Sequence, residues 1–220
     1  LFTGSECDVD SCPATEVANS SFPTTASISG VTGDTVIVVC DPGYTGGGIW
    51  TCGTDGSFAG TECDAISCAA TEVTNSDSSG TGSISGVTGD NVTVGCDPGY
   101  SGGGMWTCGT DGNFTGTECT PAPCVPAEVP FSDSSSAGSV TGHFASTVSV
   151  TCDAGYSGGG AWTCITPTTF TFTGASCTAN QCPPTQVALS DKAAQNSITG
   201  STGDVVMVSC DAGYLGGGLW

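Results

Sequence analysis

Fifteen cysteines recur at a fixed spacing, and this constrains the fold of the 220-residue chain more than any other feature. They stand at 7, 12, 40, 52, 63, 68, 96, 108, 119, 124, 152, 164, 177, 182 and 210. From Cys12 the gaps run 28, 12, 11, 5, then 28, 12, 11, 5, then 28, 12, 13, 5, then 28. Cys12, Cys68, Cys124 and Cys182 therefore open units 56, 56 and 58 residues apart. A fixed period of this length is the signature of stacked supersecondary units. Other residues keep the frame. Tyr44, Tyr100, Tyr156 and Tyr214 each close an Asp-Pro/Ala-Gly-Tyr run, and Trp50, Trp106, Trp162 and Trp220 each follow Gly-Gly-Gly-X. The repeat absorbs all 4 Tyr and all 4 Trp.

The frame predicts repeats over 12–63, 68–119 and 124–177, an incomplete repeat over 182–220, and the tail of a preceding repeat over 1–7. The tail expectation comes from Leu1-Phe2-Thr3-Gly4-Ser5-Glu6-Cys7, which matches Asn113-Phe114-Thr115-Gly116-Thr117-Glu118-Cys119. We read the chain as a window on a longer array. A unit this small is near the size where one hydrophobic core becomes marginal. Two disulfides per unit are the expected remedy, and they imply an oxidising, extracellular compartment. Four cysteines allow three pairings, which spacing leaves open. A zinc site needs close pairs such as Cys-x-x-Cys, and none occurs.

Composition removes several function classes. Against 21 Asp+Glu there is one Lys+Arg, Lys192, for a formal charge of −20. Nucleic-acid affinity rests on cations that neutralise phosphates, so that partner is excluded, and anionic membrane surfaces are disfavoured for the same reason. No run approaches the roughly 20 apolar residues of a membrane span, so no membrane insertion is expected here. One His, one Lys and no Arg leave few groups for general-base or oxyanion chemistry. His143 stands where other repeats have Val31, Val87 and Ser201, so it reads as a single substitution and not a catalytic base. The chain is not expected to be an enzyme.

Periodicity points to strands. Val36/Val38/Cys40, Val92/Val94/Cys96, Val148/Val150/Cys152 and Val206/Val208/Cys210 alternate with a variable, mostly polar set. Period 2 with one constant apolar face is a strand buried on one side. Ile49–Cys52 and Ser27–Ser29 read as further strands. The Gly and Asp clusters, including each Gly-Gly-Gly run, read as turns. The adjacent Trp is either core or a stacking surface for a neighbour or a glycan.

Cys, a long segment ending Val-x-Val-x-Cys-x-x-Gly-Tyr, a third Cys, then Asp-Gly-x-Phe and a fourth Cys resembles the sushi, or complement control protein, repeat. The second unit carries it as Cys68, Val92-Thr93-Val94-Gly95-Cys96-Asp97-Pro98-Gly99-Tyr100, Cys108, Asp111-Gly112-Asn113-Phe114 and Cys119. Two features depart from that pattern. Phe58, Phe114 and Phe172 replace the family's Trp before the last Cys, and the mixed, often basic surface is missing. The resemblance implies an all-β tandem array of small disulfide-rich modules, and the constant linkers between them favour an elongated rod over a flexible string of beads. It also implies first-to-third and second-to-fourth pairing: Cys12–Cys52, Cys40–Cys63, Cys68–Cys108, Cys96–Cys119, Cys124–Cys164 and Cys152–Cys177. Cys7, Cys182 and Cys210 are then expected to pair outside the window.

Asn19-Ser-Ser, Asn91-Val-Thr and Asn113-Phe-Thr are acceptor sequences for N-linked glycans. The tracts Ser132–Ser136 and Thr166–Thr173 are candidates for O-linked sugars. Carboxylates also recur, at Asp41, Asp97, Asp153 and Asp211 after the second Cys, and at Asp34, Asp90 and Asp204 six before it. Oxygen ligands suit Ca²⁺, and Glu6-Cys7-Asp8-Val9-Asp10 and Glu62-Cys63-Asp64 are where an ion would be sought. Turn Asp residues more often serve their own backbone. Four residues separate consecutive units: Asp8–Ser11, Asp64–Ser67, Thr120–Pro123 and Thr178–Gln181. Constant linkers make the same neighbour contact recur, and identical contacts that do not close build a rod or helix. The expected function is structural: a segment of a secreted filament or surface fibre, such as a flagellar hair, whose partners are copies of itself and covalent glycans. The alternative is an array of recognition or adhesion modules on a cell-surface protein, binding protein or glycan, with Ca²⁺ as a candidate cofactor.

Overall fold

A computed structural model of the chain describes residues 8–165 and 169–220. Residues 1–7, with Cys7, and 166–168 lie outside the described residues. Among the described residues there is no helix, and the architecture is all-β: small antiparallel sheets cross-linked by six disulfides. The chain divides into two compact units, one reaching Asp97 and adding Ser101–Thr120, the other made of Pro98–Tyr100 and Pro121–Trp220.

In the first unit, β1 (Ser11–Thr15) pairs with β2 (Ile28–Val31). β3 (Thr35–Val38), β4 (Tyr44–Cys52) and β5 (Phe58–Ala65) form an antiparallel sheet with β4 in the middle. The second repeat contributes β6 (Asn91–Val94), β7 (Tyr100–Ser101), β8 (Gly104–Cys108), β9 (Phe114–Thr115) and β10 (Thr120–Pro121). Its sheet runs β6-β8-β9, and β7 pairs with β10. The second unit holds β11 (Thr147–Val150), β12 (Tyr156–Cys164) and β13 (Phe172–Ala179) as one sheet, with β14 (Met207–Val208) paired to β15 (Gly218–Leu219).

The Val alternation builds the buried face. Val38, Val94, Val150 and Val208 are 2–3% exposed. Between them, Ile37 lies opposite Ile49, and both project outward. Trp50 pairs with Val36 and joins Val17, Ile28, Val38 and Cys63 in the first repeat's core. Its Nε1 donates to the Thr61 carbonyl at 3.1 Å, as Trp106 does to Thr117 and Trp162 to Ala175. Trp50 and Trp106 are therefore core residues; Trp162 is half-buried. Gly60, Gly116 and Gly174 lie against these indoles, where an added Cβ would collide.

The Gly-Gly-Gly runs correct the sequence reading. They are expected as turns, yet Gly46–Gly48 and Gly158–Gly160 lie inside β4 and β12. Left-handed φ values of 117°, 68° and 91° at Gly46–Gly48 accompany register shifts against β5. Such bulges bend a strand without ending it, so in the first and third repeats the run carries one long strand from Tyr to Cys across the bend. In the second repeat the pairing breaks there, separating β7 from β8.

Each complete repeat is bridged twice. The bonds join Cys12–Cys52, Cys68–Cys108 and Cys124–Cys164 across 40 residues of sequence. Cys40–Cys63, Cys96–Cys119 and Cys152–Cys177 span 23, 23 and 25. Cys182 and Cys210 are unbridged in the structure.

Candidate functional site

A feature that recurs beyond the cores is the junction between consecutive repeats. In the first unit, the third linker residue, Ile66, donates its N–H to the Gly43 carbonyl at 2.9 Å. Its own carbonyl accepts the N–H of Thr88 at 2.9 Å and the Thr88 hydroxyl at 3.3 Å. Within the second unit, Asn180 donates to Gly155 at 2.8 Å, and Thr202 donates to Asn180 at 2.9 Å. Ala122, Gly99 and Phe144 make the same two bonds within that unit. The linker is thus one rung bonded on both sides by backbone, independent of its own side chain.

Glycine is required at the receiving end. Gly43 has φ +90 and Gly155 φ +91, and both follow the turn after the second Cys. A Cβ on Gly43 would approach Thr88 Cγ2 to 2.5 Å and the Thr110 backbone to 3.0 Å. On Gly155 it would meet Thr202 Cγ2 at 2.6 Å. Both backbone conformation and contact exclude a side chain. Gly213 has the same φ, +89, with nothing within 4 Å of the added atom.

Of the recurring carboxylates, the set six before the second Cys serves its own chain. Asp34, Asp90 and Asp204 each accept the N–H three residues earlier, at 2.7–2.9 Å. Ser146 does so in the third repeat. Asp77, Asp133 and Asp191 accept the N–H of Gly95, Thr151 and Ser209 on the neighbouring segment, where the first repeat uses Ser21. The N–H of Thr151 is the main reason Asp133 titrates below an ordinary carboxylate, and the N–H of Ser209 does the same for Asp191. Asp55 and Asp111 are lowered by the side chains of Ser57 and Asn113, with help from the same residues' N–H groups. Among the described residues no three His, Cys, Asp or Glu side chains converge as a metal site. Of the sequence candidates, Glu6 and Cys7 lie outside the described residues.

Asn19, Asn91 and Asn113 are all exposed. Asn91 starts β6 on the outward face and accepts the Thr107 hydroxyl at 2.6 Å. Asn113 is tied to Asp111 by its Nδ2 at 3.1 Å. The Ser132–Ser136 tract behaves differently from the sugar-bearing expectation. Ser132 is 3% exposed and donates to the Val129 carbonyl, and Ser134 is also buried, leaving only Ser135 and Ser136 open.

That buried serine belongs to a motif the sequence reading passed over. Ser20, Ser76, Ser132 and Ser190 each donate to the carbonyl of a Val three residues earlier, at 2.6–2.7 Å. Each also accepts the N–H two residues on. The Val-x-x-Ser spacing holds in all four repeats, inside segments that otherwise vary, and a repeat-on-repeat alignment of the sequence displays it.

The chain matches no family model, and no curated protein matches it closely enough to count as a relative. The all-β, six-disulfide organisation is compatible with sushi-like repeats and fits an extracellular or secreted protein.

Proposed function

We propose that the chain is a non-enzymatic structural protein, a segment of a sushi-like array that forms a rod within a secreted filament or surface fibre. The junction carries this reading. The same glycine, linker rung and receiving residue recur within both units although the linker side chains are Ile66, Ala122 and Asn180. A backbone-defined junction makes the step from repeat to repeat constant, which is what a regular fibre needs. N-linked glycans at Asn19, Asn91 and Asn113 belong to the same reading, since all three side chains are exposed. Copies of the chain are its partners.

A recognition array is the second reading, favoured by one observation. The outward sheet face differs between repeats: Ile37 and Ile49 in the first, Thr93 and Met105 in the second, Ser149 and Ala161 in the third. Electron microscopy of the purified secreted protein separates the two. Extended particles that assemble laterally or end to end are expected. Monodisperse particles that stay unassembled across pH and Ca²⁺ concentration overturn the filament reading.

A further inference from the structure

In each repeat, one residue whose backbone is bonded to the Asp that opens the Asp-Pro/Ala-Gly-Tyr turn is held in a left-handed conformation. These residues are Asn19, Asn75, Phe131 and Leu189, with φ of 54°, 59°, 61° and 58°. Their backbones are fixed identically. Each carbonyl accepts the N–H of the Asp after the second Cys, from Asp41, Asp97, Asp153 and Asp211 respectively. The next residue is always the buried serine.

The third repeat shows where a side chain at this position goes. Phe131 stacks flat on Tyr156, with ring centroids 4.4 Å apart and planes 6° from parallel. In the second repeat Tyr100 has a different aromatic partner, Phe144, edge-on at 5.8 Å. Among the described residues Tyr44 has no such ring contact. Asn19 holds in the first repeat the position that Phe131 holds in the third, with the same backbone conformation and bond, and Asn19 starts an Asn-x-Ser acceptor sequence whereas Asn75-Ser76-Asp77 does not.

We propose that Asn19 carries an N-linked glycan whose first sugar lies on the Tyr44 ring, in the place Phe131 takes over Tyr156. This rests on reading the protein as a secreted glycoprotein. In the covalent step, Asn19 Nδ2 loses a proton and bonds to the anomeric carbon of a glycosyl diphosphate donor, whose diphosphate leaves with the bonding electron pair. One face of a pyranose presents C–H groups, which suit the electron-rich face of a phenol. The left-handed backbone aims the linkage before the sugar arrives, so little ordering remains to be done. The Asn91 and Asn113 side chains, by contrast, are engaged by Thr107 and Asp111.

The test uses the full 220-residue chain secreted from a eukaryotic host. Peptide mass spectrometry reads occupancy at the three asparagines, and NMR reads the first sugar on each. The expected result is an occupied Asn19 whose sugar protons are shifted upfield by the Tyr44 ring, a shift lost in Tyr44→Leu. Trimming to the first sugar should leave the first repeat's Tm unchanged, while Asn19→Gln should lower it by roughly 2–12 °C. Asn19→Phe, which needs no sugar, should restore the loss. Sugars at Asn91 and Asn113 but none at Asn19 overturn the proposal alone. An occupied Asn19 with unshifted sugar protons overturns the stacking alone. No sugar at any of the three overturns the glycoprotein reading as well.

Discussion

Gly43→Ala separates the junction's packing from ordinary backbone strain. An alanine at φ +90 is strained wherever it sits, by about 1–2 kcal/mol on the left-handed side of φ space. Gly33 supplies the control within the same repeat: its φ is +95, and nothing lies within 4 Å of an added Cβ. At Gly43 the added carbon would come within 2.5 Å of Thr88 Cγ2 and 3.0 Å of the Thr110 backbone, which a packed site relieves only by moving the neighbours. Overpacking of this kind costs a further 1–3 kcal/mol or so. The relief available is separation of the two surfaces, with loss of the bonds from Ile66 to Gly43 and from Thr88 to Ile66.

Native-state hydrogen exchange reads this directly. If the overpacking falls on the junction, the Ile66 and Thr88 amides should exchange about 5- to 150-fold faster in Gly43→Ala. Core amides such as that of Val38 should change as little as they do in Gly33→Ala. Thr88→Ser deletes the clashing methyl and keeps the hydroxyl, so the double variant should recover part of the protection, a coupling measured by a double-mutant cycle. Equal exchange at Ile66 and Thr88 in Gly43→Ala and Gly33→Ala would refute the junction argument.

Three further outcomes follow from the same geometry. Ser76→Ala leaves the Val73 carbonyl and the Ser78 N–H without their buried partner, and should lower stability by about 1–3 kcal/mol in thermal or denaturant unfolding. Replacing Cys96 and Cys119 together by Ser opens a bridge spanning 23 residues and should cost about 3 kcal/mol. The second repeat should then unfold first, and peptide mapping without reduction should still recover Cys68–Cys108 intact. Asp55, Asp111, Asp133 and Asp191 titrate below the ordinary value of 3.8 when folded, so the stability they add is present above that value. It is lost as pH falls through their lower folded values. Unfolding midpoints should accordingly be flat from neutral pH to about pH 5 and decline below pH 4, with a smaller decline in the Asp133→Asn variant.

Much of the fold is legible before any coordinates. The Cys period marks the repeats, and the Val alternation assigns both the buried face and the strand before the second Cys, because those depend on side-chain chemistry at fixed spacing. What depends on backbone torsion is less legible. A Gly-Gly-Gly run supports a turn or a bulged strand equally well, and only the pairing of Gly46 and Gly47 with Cys63 and Thr61 decides for the strand. The junction is harder still. Its central rung is made by Ile66, Ala122 and Asn180, three residues with no shared side-chain chemistry, since only their N–H and C=O groups take part. Only the invariant Gly before each Tyr signals it. The Val-x-x-Ser motif was accessible in principle, but it is embedded in segments whose other positions vary and so reads as part of a variable loop.

The charge of −20 is compatible with self-association once the carboxylates are located. Asp34, Asp90 and Asp204 close their own turns, and Asp77, Asp133 and Asp191 hold adjacent backbone. These six carboxylates therefore carry their charge where backbone hydrogen bonds stabilise it and solvent screens it. The outward faces of β3 and β4 are neutral: Thr35, Ile37 and Val39 stand beside Ile49 and Thr51. In the third repeat the corresponding positions are Thr147, Ser149, Thr151, Ala161 and Thr163, again without a carboxylate. In the fibre proposed above, a copy approaching the β3–β4 part of the sheet meets apolar or hydroxyl groups that need no counter-ion, whereas on β5 the exposed Glu62 and Asp64 present like charge. On that proposal, repulsion between the acidic surfaces would restrict contact to the neutral part of each sheet, and restriction of that kind is how a strongly acidic protein could make ordered instead of indiscriminate contacts.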